Sequence, residues 1–232
     1  MTVFIFVASL MAAMALGMPL AFSLLVSGVA LMLHLDTFDT QIVSQNLING
    51  ADNFPLMAVP FFMLAGELMN AGGMSRRIVN SAMVWVGHFR GGLGYVAVFA
   101  AIIMASLSGS AVADTAALAA VLMPMMRKAG YRMDRSAGLI AAGGIIAPVI
   151  PPSIGFILFG VIGGVSISKL FMAGIFPGLL MGLALIITWW IVARNDDVQV
   201  APRVPLAEKL KVTANAFWSY LLAITIIGGM KM

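Results

Sequence analysis

Apolar side chains run through this chain in long blocks. They carry neither the alternation of a half-buried strand nor the single stripe of a soluble helix. The blocks are 3–33, 54–71, 92–126, 136–164, 170–193 and 213–230. A helix rising 1.5 Å per residue needs about 20 apolar residues to cross a hydrocarbon core of roughly 30 Å. Such blocks predict an all-α integral membrane protein, because helices satisfy their own backbone in lipid. The polar stretches between the blocks set orientation. Residues 34–53 hold Asp36, Asp39 and Asp52 with no Lys or Arg, and read as an outer loop. Arg76, Arg77 and Arg90 in 72–91 place that stretch on the cytoplasmic side, as do Arg127, Lys128, Arg132 and Arg135 in 127–135. Arg194, Arg203, Lys209 and Lys211 do the same for 194–211.

Several blocks depart from a single crossing. Gly17-Met18-Pro19 divides 3–33 into two short tilted helices. In 72–91, Ile78, Met83, Val84, Trp85 and Phe89 mix with Asn80 and Ser81, predicting an amphipathic surface helix with Trp85 at headgroup level. Block 92–126 has cytoplasmic loops on both sides, so it must leave and return on one face. Its 35 residues are too few for two crossings, and nine form the polar centre SLSGSAVAD, 106–114. The limbs 93–105 and 115–126 would reach only about 18–20 Å at helical rise. The reading is a re-entrant helical hairpin whose tip, with Ser106, Ser108, Gly109, Ser110 and Asp114, lies within the membrane. A carboxylate at that depth is by default a functional-site hypothesis. Ser110 can cap the second limb, whose free amides suit a carboxylate; the carbonyls ending the first limb and the serine hydroxyls suit a small hard cation such as sodium.

Block 136–164 contains IIAPVIPPS at 145–153. Pro148, Pro151 and Pro152 remove amide donors and push the preceding residues out of helical geometry. This predicts one crossing made of two half-helices, the second starting near Pro152 and Ser153 with proline suited to its first turn. Two interruptions at similar depth are the expected substrate and ion site of a secondary transporter. Ser110, Asp114 and Ser153 are the candidate substrate contacts. Ser106, Ser108, Gly109, Ala147, Ile150 and Pro152 are the candidate cation ligands. Gly174, Gly178 and Gly182, spaced by four, form a small-residue stripe for close helix approach. Glu67 reads as snorkelling or pairing with Arg76 or Arg77.

Composition sharpens the class. Of 232 residues, 62% are hydrophobic and 9% charged, against about 25% charged in a soluble domain. The net charge of +4 sits in short loops beside apolar runs, a mark of membrane orientation rather than nucleic-acid binding. Absent cysteines exclude disulfides and thiolate metal sites. His34 and His88 sit at interfaces, leaving Ser108 or Ser110 without a base at their depth. No nucleophile elbow is present, so an intramembrane hydrolase is the weakest alternative. A channel lined by half-helices is a further alternative.

The chain resembles the large, DctM-type membrane subunit of the tripartite ATP-independent periplasmic (TRAP) transporters. The resemblance lies in ALGMPLAFSLL at 15–25, NGADNFPLMAVPFFMLAGELMNAGG at 49–73, GSAVADTAA at 109–117, GGIIAPVIPPS at 143–153 and LFMAGIFPGLL at 170–180. It implies one inverted repeat of an elevator-type secondary transporter in the cell inner membrane. Scaffold helices would occupy 1–71, an arm 72–91, half of a transport domain 92–193, a linker 194–212 and the start of a second repeat 213–232. It also implies organic-acid symport with sodium as coupling ion and no other cofactor, a periplasmic substrate-binding protein, and a small membrane subunit. Family members are about twice as long, so the second hairpin and half of the substrate site are expected in a missing C-terminal half. The sequence would then be a fragment, a truncated product or one of two split halves.

Overall fold

A computed structural model describes residues 1–194, 198 and 200–229. Among them the chain forms twelve α-helices and no strand, grouped into two units, Met1–Phe54 and Pro55–Met232.

In the first unit, α1 (Thr2–Ala15) and α2 (Leu20–His34) pack together as a short pair, divided at Gly17-Met18-Pro19 as expected. Gly17 has φ +81° there, a conformation that only glycine adopts without cost. Ser23 and Ser27 of α2 are buried, and each hydroxyl bonds a carbonyl about one turn back. The outer loop expected at 34–53 instead contains α3 (Thr40–Ala51). Asp39 caps it, accepting from the Gln41 amide at 2.7 Å. Its apolar stripe, Val43, Leu47 and Ala51, is short and set among polar residues, so a scan for long apolar blocks passes over it.

The second unit begins in α4 (Phe54–Ala71), which is long and apolar enough to cross a membrane. Next comes α5 (Met74–Val86), whose Ser75, Ile78, Val79 and Ala82 form a buried stripe at helical spacing. The helix rests on protein as well as facing outward. It packs on α6 (Gly92–Ser108) and on α11 (Leu206–Asn215), a helix within the stretch expected to be a linker. The half-exposed Trp85 donates its indole N–H to Thr213 Oγ1 at 2.9 Å, and Lys209 lies 5.4 Å from its ring centre. Ser81, fully buried, accepts from the Tyr220 hydroxyl at 2.8 Å, tying α5 to α12 (Phe217–Gly229).

Helix α6 is the centre of the core, with Val96, Val98 and Ala100 fully buried. It pairs with α7 (Ala111–Lys128) as a hairpin, and both pack on α8 (Met133–Gly144). Trp189 of α10 (Ile167–Ala193) anchors the start of α6 by donating to the Gly91 carbonyl at 2.8 Å. A Cβ on Gly94 would overlap that indole. The hairpin limbs are longer than expected. They are 17 and 18 residues, about 25–27 Å at helical rise, because the polar centre stays helical except at Gly109-Ser110. Ser106, Ser108 and Asp114 find local partners and so do not break the helix. Limb length therefore does not by itself set the depth of the tip.

The second interruption is as expected in place. Helix α8 ends at Gly144, irregular turns follow, and α9 (Ile154–Gly163) begins after Ser153. The prolines stand before the cap rather than in the first turn. Ser153 is the N-cap and Ile154 the first helical residue, because the Ser153 hydroxyl accepts from the Phe156 amide at 3.2 Å.

Candidate functional site: the hairpin tip and the helix break

Gly109 ends α6 with φ +61°, and Ser110 caps α7 by accepting from the Ala113 amide at 3.4 Å. A Cβ on Gly109 would collide with the Pro152 carbonyl oxygen and lie 3.2 Å from Ser153 Cα. The tip of the hairpin and the end of the break are thus in van der Waals contact through bare backbone. A second contact sits beside it. Gly144, the last residue of α8, faces Thr115, and a Cβ there would overlap the threonine hydroxyl and approach the Ala111 carbonyl to 3.2 Å. The glycine stripe of α10 supports the break from behind. Gly174 lies against the Val149 carbonyl and Phe156, Gly178 against Ile150, and Gly182 against Ile102 of α6.

Two serine-capped helix starts, α7 at Ser110 and α9 at Ser153, are brought together in this way. Each presents unpaired first-turn amides and the positive end of a helix dipole, an arrangement that suits an anion. Acceptors are gathered as well. The carbonyls of Ala147, Ile150 and Pro152 accept no hydrogen bond among the described residues, while that of Pro148 accepts from the Ser153 hydroxyl at 2.6 Å. Ser106 is buried and donates to the Ile103 carbonyl at 2.6 Å; it lines a groove of about 250 Å³ together with Ile150. Ser108 donates to Asp114 Oδ1 at 2.6 Å and accepts from the Ser110 amide at 3.1 Å. A hydroxyl that donates its proton keeps lone-pair capacity for a cation.

The structure brings Gly109, which precedes the Ser110 cap, against Pro152 and Ser153, and links the Asp114 carboxyl to the tip through Ser108. That carboxyl is buried and lines a small cavity with Glu67 and Asn70 of α4 and Ser75 of α5. Glu67 makes no ion pair with Arg76 or Arg77 among the described residues. Sequence reasoning grouped Asp114 with Ser110 and Ser153 as a substrate contact, whereas its carboxyl lines the pocket beside α4; a nine-residue polar tip gives no helical phase to tell the two apart. The i, i+3 spacing of Glu67 and Asn70 is the signal that marks their common face.

A bundle of apolar helices, with α4 and α10 fit to span a bilayer and interrupted helices meeting at a polar point, has the architecture of a membrane transport protein. Residues 7–232 match the family described as "Tripartite ATP-independent periplasmic transporter, DctM component", and the chain belongs to that family. It is 57% identical to the 2,3-diketo-L-gulonate TRAP transporter large permease protein YiaN of Escherichia coli over 231 residues, all of this chain and 54% of that protein. It is 39% identical to the sialic acid TRAP transporter large permease protein SiaM of Vibrio cholerae, over 92% of this chain and 50% of the relative. It is 38% identical to the C4-dicarboxylate TRAP transporter large permease protein DctM of Pseudomonas aeruginosa, over 90% of this chain and 49% of the relative. The chain spans about half the length of the curated relatives it matches.

Proposed function

We propose that this chain provides the first half of a permease that takes up organic-acid solutes across a bacterial inner membrane by sodium-coupled symport. The observation that carries the reading is the backbone contact between Gly109 and Pro152–Ser153, which joins two capped helix starts at one point. The first-turn amides after Ser110 and Ser153 hold the solute carboxylate. The free carbonyls of Ala147, Ile150 and Pro152, with those ending α6 and the Ser106 and Ser108 hydroxyls, supply ligands for sodium. Names of relatives support the substrate class, since diketogulonate, sialic acid and C4-dicarboxylates are all carboxylates. A periplasmic binding protein delivers the solute, a small membrane subunit packs alongside, and a second hairpin from a C-terminal half completes the site. The hairpin enters from the cytoplasmic side as a re-entrant element and belongs with α8–α10 to the transport domain.

Replacing Ser110 with alanine removes the cap of α7, worth about 1 kcal/mol, and disorders the amides that face the solute. Sodium-driven uptake by a complete permease carrying this change, supplied with its binding protein, should fall several-fold. An unchanged rate with unchanged sodium dependence would contradict the assignment.

A further inference from the structure

Two arginines meet where α6 begins and α10 ends. A Cβ on Gly91, just before α6, would stand 3.0 Å from Ala193 Cβ and 3.1 Å from the Trp189 indole nitrogen. Arg90 and Arg194 adjoin that backbone contact, one on each segment. Both are exposed, and neither side chain forms an ion pair or hydrogen bond among the described residues. They line one groove of about 500 Å³, and no Asp or Glu is among its described lining. Much of the remaining wall is aromatic. Tyr95 and Phe99 stand one turn apart on α6, and Trp190 stands one turn before Arg194 on α10. Phe99 and Trp190 are exposed large rings.

These side chains are graded along the groove. The arginines sit at helix ends that the basic loops put on the cytoplasmic side. Phe99 lies about 10 Å farther along α6 than its first residue, Gly92, at helical rise. Tyr95 and Trp190, each with a polar handle on an apolar ring, come between. Cation, amphipathic ring and apolar ring follow the order of phosphate, glycerol ester and acyl chain in a phospholipid. Guanidinium groups hold phosphate oxygens in bidentate pairs, and a zwitterionic head would bring its own cation against them. A soluble anion would engage the arginines and leave the aromatic wall unused.

We propose that this groove binds one anionic glycerophospholipid of the cytoplasmic leaflet, with its phosphate between Arg90 and Arg194 and an acyl chain along Trp190 and Phe99. The site needs only the membrane orientation of the chain and is independent of the solute reading at the hairpin tip. A lipid held there fixes the joined ends of α6 and α10 at headgroup level.

Phosphatidylglycerol and phosphatidylcholine with matched acyl chains are titrated onto the 232-residue chain and onto a complete permease containing it, and native mass spectrometry reads the bound lipid. The first phosphatidylglycerol should bind about thirtyfold tighter than phosphatidylcholine, roughly fivefold for each basic residue at headgroup level. Arg90→Gln with Arg194→Gln should abolish that preference and leave phosphatidylcholine binding unchanged. Arg127→Gln with Lys128→Gln, which removes the same charge at the end of α7, should preserve it. Arg90→Lys with Arg194→Lys should retain most of it, and carries the test if the glutamine pair does not fold. Equal losses in the two glutamine pairs would overturn the proposal, since the attraction would then be diffuse surface charge. Displacement of the lipid by an equal concentration of inorganic phosphate would make this a soluble-anion site and refute the lipid. A preference present in the chain but absent from the complete permease would show the groove covered by protein, which also refutes it.

Discussion

Replacing Gly109 with alanine should destabilise the chain by about 2–4 kcal/mol and abolish uptake by a permease that contains it. Two costs act together. The residue sits at φ +61°, where a side chain costs about 1 kcal/mol. The added methyl would also occupy the position of the Pro152 carbonyl oxygen, which is backbone and cannot rotate away. Forcing atoms into a packed site costs roughly 1–3 kcal/mol more. Gly164 separates the terms. It has nearly the same conformation, φ +62°, with nothing within 4 Å of a built Cβ. Gly164→Ala should therefore lose only the conformational part, about 1 kcal/mol. Thermal unfolding of both variants in detergent checks this. Equal losses would mean that the contact with Pro152 contributes nothing.

The second large effect concerns the α10 stripe. A helical glycine changed to alanine ordinarily gains about 0.5–1 kcal/mol, because backbone entropy is no longer lost. At Gly174 the sign should reverse, with a net loss of about 2 kcal/mol. The new methyl there meets the Val149 carbonyl oxygen and, at 2.5 Å, the Phe156 ring. At Gly182 the obstacle is Ile102 Cδ1, also at 2.5 Å but the far end of a flexible side chain. Gly182→Ala should lie near neutrality because that methyl can swing aside. Gly174→Ala should also impair uptake, since Val149 belongs to the segment that carries the free carbonyls. Denaturant unfolding of the pair gives the order; a Gly182→Ala loss exceeding that of Gly174→Ala would contradict this account of the break.

What could be read from the sequence follows from the kind of signal each feature leaves. Arginines and lysines flanking 92–126 and the three prolines of 145–153 marked both interruptions, and the structure has a hairpin and a broken helix there. Spacing of Gly174, Gly178 and Gly182 marked a packing stripe, though not its partner, which a period cannot name. Helix α3 left only a short apolar period, Val43, Leu47 and Ala51, too brief to form a spanning block, and the Asp39 cap is its second mark. Extending both limbs to Gly109-Ser110 required knowing that Ser106 and Ser108 satisfy themselves locally. Asp114 shows the same gap in sharper form. Its residue type and its place in the polar tip were legible, but its surroundings depend on the phase of α7, fixed only once Ser110 is known to be the cap. The cavity it shares with Glu67 and Asn70 joins residues more than forty positions apart, and no local pattern contains that information.

The central claim is that Ser110 at the hairpin tip and the break at Pro152–Ser153 form one solute site inside the membrane. Thiol labelling tests it most directly, because the chain has no native cysteine to compete. Ser110→Cys in a complete permease is reconstituted in proteoliposomes, and a membrane-impermeant reagent is applied from each side. Labelling should come from one side only in a given state and should slow several-fold when sodium and the organic acid are both present. Equal labelling with and without solute, or labelling from neither side in any state, would contradict the account.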